Sequence, residues 1–187
     1  MPALFLALLT AALAMLGGRP ARLTARMAAA LGGRVGLLIA CWITAIASSA
    51  LAAWAGTWLA PQMAPPVKTM FVAVALALAA LELLFLRERA APAEPTRSLG
   101  AIGLVLFAGQ LTDAARFLVL ALAVATHAPA LAATGGTLGS GAVLSAAFML
   151  GSEWDARLPL RVIRLGVGVL FAFGATAVAL AARGVIG

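Results

Sequence analysis

Polar and charged residues are scarce along this chain and fall in short clusters, with long uncharged runs between them. A run of about 18 or more apolar residues has the length of a membrane-crossing helix. On that measure the pattern predicts six spans, at roughly residues 3–30, 35–56, 68–86, 99–126, 129–151 and 162–182. The first is expected to be irregular. The second, VGLLIACWITAIASSALAAWAG, leads into Trp54 and Trp58, and Trp154 follows the fifth. Tryptophan at a span end reads as an interfacial anchor. The segment Arg87 to Ser98, RERAAPAEPTRS, carries both signs of charge and two prolines. It predicts a linker at 87–98 between a first half, 1–86, and a second half, 99–187, of three spans each. Ser98 is placed to cap the fourth helix.

Composition agrees. Of 187 residues, 64% are hydrophobic and 10% charged, against roughly 25% charged in a soluble domain. The fold class expected is therefore all-α and integral to the membrane, in one compact domain. The net charge of +7 reads as orientation and lipid contact. No basic run is interleaved with stacking aromatics, so no nucleic-acid partner is expected. Loops one, three and five hold ten arginines: Arg19, Arg22, Arg26 and Arg34, then Arg87, Arg89 and Arg97, then Arg157, Arg161 and Arg164. The other side has Lys68 and Arg183. The positive-inside rule puts the odd loops in the cytoplasm and both termini outside. The Ala/Arg-rich usage suggests a bacterial inner membrane. Four arginines follow the first apolar run and no Lys or Arg precedes it. That is the reverse of a signal peptide, so the run is expected to be a retained helix. The single cysteine, Cys41, excludes an intrachain disulfide and is expected to be a small buried residue.

The halves look related. Shifted by 95 positions, Gly56 falls on Gly151, Ala47 on Ala142 and Val67 on Val162. Because three spans per half invert the second half, the expected architecture is an inverted three-plus-three repeat. Such repeats place a substrate site at the midplane, where the halves meet, on interrupted helices, which points to the first span of each half.

The fourth span carries Gln110, Thr112, Asp113 and Arg116 within the membrane. An ionisable residue at that depth costs about 2.5–3.5 kcal/mol and is a functional candidate by default. Gln110, Asp113 and Arg116 are three apart, which predicts one shared helix face. They read either as a polar site or as a self-neutralising Asp–Arg pair with Gln110 bonded to a neighbour. At the matching place in the first span, Gly17, Gly18 and Pro20 predict a helix break, which a membrane tolerates only beside a cavity or inside protein. Arg19, Arg22 and Arg26 follow as one stripe, facing either Asp113 or lipid phosphates. Glu82 reads as a proton or cation ligand, or as a partner of a neighbouring arginine such as Arg87. The lone His127 is expected to be solvated. Gly135 and Gly139 form a G-x-x-x-G, expected at a close helix contact. No phosphate loop, Cys/His cluster or Ser-His-Asp set appears, so no enzymatic activity and no permanently bound cofactor is expected.

Two halves of three spans, each with a short polar motif in its first span, resemble the cation/proton antiporter family that exports manganese and, in the Golgi, also calcium. This family lies within the lysine-exporter superfamily, and its hallmark is a duplicated E-x-G-D-[KR]-[ST]. The resemblance is clearest from Phe107 to Leu180, in FAGQLTDAARFLVLALAVATHAPALAATGGTLGSGAVLSAAFMLGSEW and the later VIRLGVGVLFAFGATAVAL. In the second copy Gln110 stands for Glu, Thr112 for Gly, Ala114 for the basic residue and Ala115 for the hydroxyl, while Asp113 is kept. In the first copy Met15 stands for Glu, Gly18 for Asp and Pro20 for Ser/Thr, while Gly17 and Arg19 are kept. One of four expected carboxylates remains. The resemblance implies a secondary transporter of small divalent cations, Mn²⁺ or Ca²⁺ against protons. Its ion path would run along Asp113, Gln110, Thr112, Gly17, Gly18 and Arg19, with Arg116 and Glu82 beside it, and Asp113 and Gln110 would be the metal ligands. Hard divalent cations want several anionic oxygens, so this set predicts a weakened metal site. Two alternatives stand beside it: a non-transporting membrane subunit that binds a partner, and a transporter of another, anionic solute. The partners expected are the lipid bilayer, a small ion or solute, and a second copy of the chain in a homodimer.

Overall fold

The computed structural model describes residues 1–85 and 98–185, and within them every regular element is helical. The linker expected at 87–98, with Arg87, Arg89 and Arg97, lies outside the described residues except for Ser98. The helices are α1 (Pro2–Gly17), α2 (Arg19–Leu31), α3 (Val35–Leu59), α4 (Pro65–Phe85), α5 (Leu99–Leu111), α6 (Ala114–Thr126), α7 (Pro129–Leu150), α8 (Glu153–Arg157) and α9 (Leu160–Ala182). Four are long and apolar enough to cross a membrane: α3 with the short turn that follows it, α4, α7 and α9. The pairs α1–α2 and α5–α6 are each bent at a short break, by 60° and 57°, and raise the number of crossings to six if each pair is one span.

The molecule is apolar outside and partly polar inside. Phe5, Ile39, Ile43 and Phe173 stand exposed on helix surfaces, while Thr24, Ser48, Ser49, Gln110, Asp113 and Arg116 are buried. This is the distribution lipid requires: hydrocarbon solvates the outer side chains, and polar groups find partners only within the protein.

Small residues set the packing. Ala3, Ala7, Ala11 and Ala14 form one buried face of α1, which lies on the glycine face of α7. A Cβ at Gly135 would strike the Leu4 carbonyl, and one at Gly139 the Leu8 carbonyl. The G-x-x-x-G thus seats α7 on the backbone of α1, where van der Waals contact at short range replaces the hydrophobic effect that lipid cannot supply. α3 packs between α5, α6 and α7, pinned by a hydrogen bond from Trp42 Nε1 to Ser145 Oγ, 3.1 Å. α4 lies along α9. There Arg164 caps the last turn of α4, donating from Nε to the Leu83 carbonyl and from a terminal nitrogen to the Glu82 carbonyl at 3.5 Å.

Several expectations are corrected. Gln110, Asp113 and Arg116 do not share a helix face, because the fourth span stops at Leu111 and restarts at Ala114. Trp154 is no interfacial anchor. It lies beyond the end of α7, on α8, and is 1% exposed within the core. Trp54 and Trp58 are exposed, edge to face with centroids 5.8 Å apart, as span-end tryptophans should be. His127 is exposed but not merely solvated, since the Lys68 ammonium donates to its Nε2 at 3.0 Å. Cys41 is buried, as expected, against the Thr24 hydroxyl at 3.6 Å. Ser98 caps α5, its hydroxyl accepting from the Ala101 N–H at 3.5 Å.

Candidate functional site

Two backbone breaks make this site. At the first, Gly18 leaves the helix in an extended conformation (φ −79°, ψ 161°), and Pro20 in the opening turn of α2 needs no N–H there. At the second, Asp113 takes a similar conformation (φ −87°, ψ 151°) and caps α6, its carboxylate accepting from the Ala115 N–H at 3.4 Å. The breaks meet. A Cβ built on Gly18 would stand 3.2 Å from Asp113 Oδ1, so the carboxylate lies against the bare backbone of the first break. A side chain there would push it away.

Around Asp113 is a polar group deep in the helices. Gln110, at the end of α5, donates from Nε2 to Thr44 Oγ1 at 2.8 Å, and its Oε1 accepts from Ser48 Oγ at 3.4 Å and from an Arg116 terminal nitrogen at 3.2 Å. The other terminal nitrogen of Arg116 donates to Ser49 Oγ at 2.7 Å. Gln110, Asp113 and Arg116 are 2% exposed or less. Among the described residues Asp113 and Arg116 form no direct ion pair. The guanidinium reaches across to α3 instead, although Asp113 remains within its electrostatic reach.

On the other flank, Asp113 has Glu82 and Arg19 as charged neighbours, and Glu82 in turn has Arg19 and Arg164. Gly17, Gly18, Arg19 and Glu82 line a small recess, whose wall of Arg22, Leu83 and Arg164 it shares with a larger cavity of about 950 Å³ between α2, α4 and α9. The cavity's polar lining is Arg22, Arg26, Asp155, Arg161 and Arg164. Arg22 and Arg26 both pair with Asp155, at 3.7 and 3.6 Å. The arginine stripe divides: Arg19 is beside the break as a charged neighbour of Asp113, and Arg22 and Arg26 line the cavity.

Of the residues singled out from sequence, Asp113, Gln110, Arg116, Gly17, Gly18, Arg19 and Glu82 are brought to this region. Thr112 is not. It is exposed, and its hydroxyl returns to the Ala108 carbonyl at 3.1 Å. The Gln110 carbonyl oxygen is occupied, accepting from Ser48 and from the Arg116 guanidinium. Among the described residues no three His, Cys, Asp or Glu side chains are gathered as a metal group. Thr44, Ser48 and Ser49 were missed. Their signal was present as hydroxyls four apart on α3, but each of Thr44 and Ser48 also satisfies itself on a carbonyl of its own helix, which is the commoner use of such residues.

Fold and site together define a helical protein with four to six membrane-length crossings and two broken helices that meet at a buried carboxylate. No family model matches the chain, no curated protein matches it and no solved structure matches it.

Proposed function

We propose that this chain is a secondary transporter of small ions, with six crossings in an inverted three-plus-three repeat and Asp113 as its ion-binding centre. The observation that carries the reading is the meeting of Gly18 with Asp113, two helix breaks face to face inside the molecule. Broken helices at membrane depth belong where they line a substrate path. The repeat is supported by the elements themselves. The breaks lie 95 positions apart, the same shift carries α2 onto α6 end to end, and it brings α4 onto α9.

With the odd loops in the cytoplasm, the arginine-lined cavity opens inward and adjoins the recess at Glu82 and Gly18, the glycine against which Asp113 lies. Alternating access then consists of closing this cavity by rocking the halves while a path opens on the side of Lys68 and His127. The solute implied by the resemblance is a divalent cation exchanged for protons, with Asp113 binding the ion and Glu82 beside it. A second reading is favoured by the cavity wall. Arg22, Arg26, Arg161 and Arg164 outnumber Asp155 there, which suits an anionic solute.

The test is manganese and proton flux in proteoliposomes, with wild type beside Asp113→Asn, a change that keeps a capping side chain and removes the charge. Wild-type flux is expected to fall by about tenfold or more in the variant, the effect of losing the one buried charge that binds the ion. A folded wild type that moves neither manganese nor, in the same vesicles, a small organic anion sinks the transport reading.

A further inference from the structure

Arg116 is the largest unexplained charge in the molecule. It sits on the first turn of α6, three residues past the second break, and is 2% exposed. A guanidinium has five donors and no acceptor, and its burial is costly unless oxygens and a counter-charge surround it. Here the oxygens are Ser49 Oγ at 2.7 Å and Gln110 Oε1 at 3.2 Å, and the counter-charge is Asp113. Behind them stand the Thr44 and Ser48 hydroxyls that hold Gln110. A carboxylate, a carboxamide oxygen and hydroxyls are also the oxygen donors a hard cation takes. Nε of Arg116 has no partner among the described residues, so the head is held by its two terminal nitrogens and not clamped along its length.

We propose that Arg116 is a tethered cation standing in the cation position of this site, so that a transported cation has to displace it. This rests on the reading of the break region as an ion site. Arg116 then determines affinity and selectivity. It lowers the affinity for divalent ions by repulsion and by holding their ligands, and in its absence the same oxygens and Asp113 bind a free cation more tightly.

The experiment is Mn²⁺ titration of the purified full chain in detergent, read by equilibrium binding and by thermal unfolding. Wild type is compared with Arg116→Gln, Arg116→Lys and the double variant Arg116→Gln/Asp113→Asn. Arg116→Gln is expected to bind Mn²⁺ about tenfold tighter or more, a modest share of what removing one like charge at close range allows. Arg116→Lys should match wild type, and the double variant should lose the gain. A Gln variant no tighter than wild type, or a gain that survives Asp113→Asn, overturns the proposal. Should Arg116→Gln not stay folded, Arg116→Ala is titrated with methylguanidinium. A rise in Tm that Mn²⁺ competes away is expected, and no rise overturns the proposal. Flux is read separately. Transport by wild type without a gain in the Gln variant removes the tether alone, whereas a gain in binding without wild-type flux removes the transport reading alone.

Discussion

Trp154 and Asp113 illustrate what a single residue's environment decides. Trp154 stands just past an apolar run and Asp113 in the middle of one, and both invite a reading from residue type. For Asp113 the type marked a costly position, a carboxylate among apolar residues, and the side chain is found capping α6 against Gly18. For Trp154 the type misled, because indole serves an interface and a core equally well, and the side chain is buried in the core. Trp154→Ala is expected to lower stability by about 3–5 kcal/mol, the usual loss for a large buried aromatic. Thermal unfolding in detergent checks this against Trp58→Ala, which removes an exposed ring and should leave Tm nearly unchanged. The hydroxyls of Thr44, Ser48 and Ser49 were illegible for a different reason. Their role depends on which helix faces them, and a hydroxyl on a helix always has a carbonyl of its own to bond.

At the scale of the element, breaks and small-residue faces matter most. Gly17, Gly18 and Pro20 announce the first break, since two weak helix formers and a residue lacking an N–H fall together. The second break has no such residues. Thr112 and Asp113 end α5 by capping chemistry, and inside a long apolar run a capping residue cannot be told from a polar residue on a continuous helix. The G-x-x-x-G of α7 was legible as a contact but not as to its partner. Gly139→Val puts methyl groups into the backbone of α1 at Leu8 and is expected to cost about 1–3 kcal/mol by overpacking. Gly103→Val, at a glycine whose Cβ would meet nothing within 4 Å, is the control. Equal Tm losses in the two would mean that the α1–α7 contact is not the cause.

For the whole molecule, polarity is the governing fact: large apolar side chains face outward along the helices, and Asp113 and Arg116 are buried with Gln110 and the α3 hydroxyls. The proposed orientation makes a prediction at this scale. In a Cys41→Ala background, a cysteine at His127 is expected to react with an impermeant maleimide added outside cells. A cysteine at Glu153 should react only after permeabilisation, because the two lie at opposite ends of α7 and its flanking turns. The reverse labelling would invert the assignment of sides and of the cavity.

The sequence by itself determined that the chain is helical, that several of its helices are long and apolar enough to cross a membrane and near which residues they begin and end, and that Asp113, Gln110 and Arg116 fall among apolar residues. These follow from solvation and local propensity, which each segment carries within itself. Only the tertiary structure decided where the fourth span breaks, that Gly18 meets Asp113, that Arg116 donates to Ser49 on α3, and that Arg22 and Arg26 line a cavity. Each of these depends on contacts between residues far apart in the chain, where packing between helices selects one arrangement among several that every helix alone would permit.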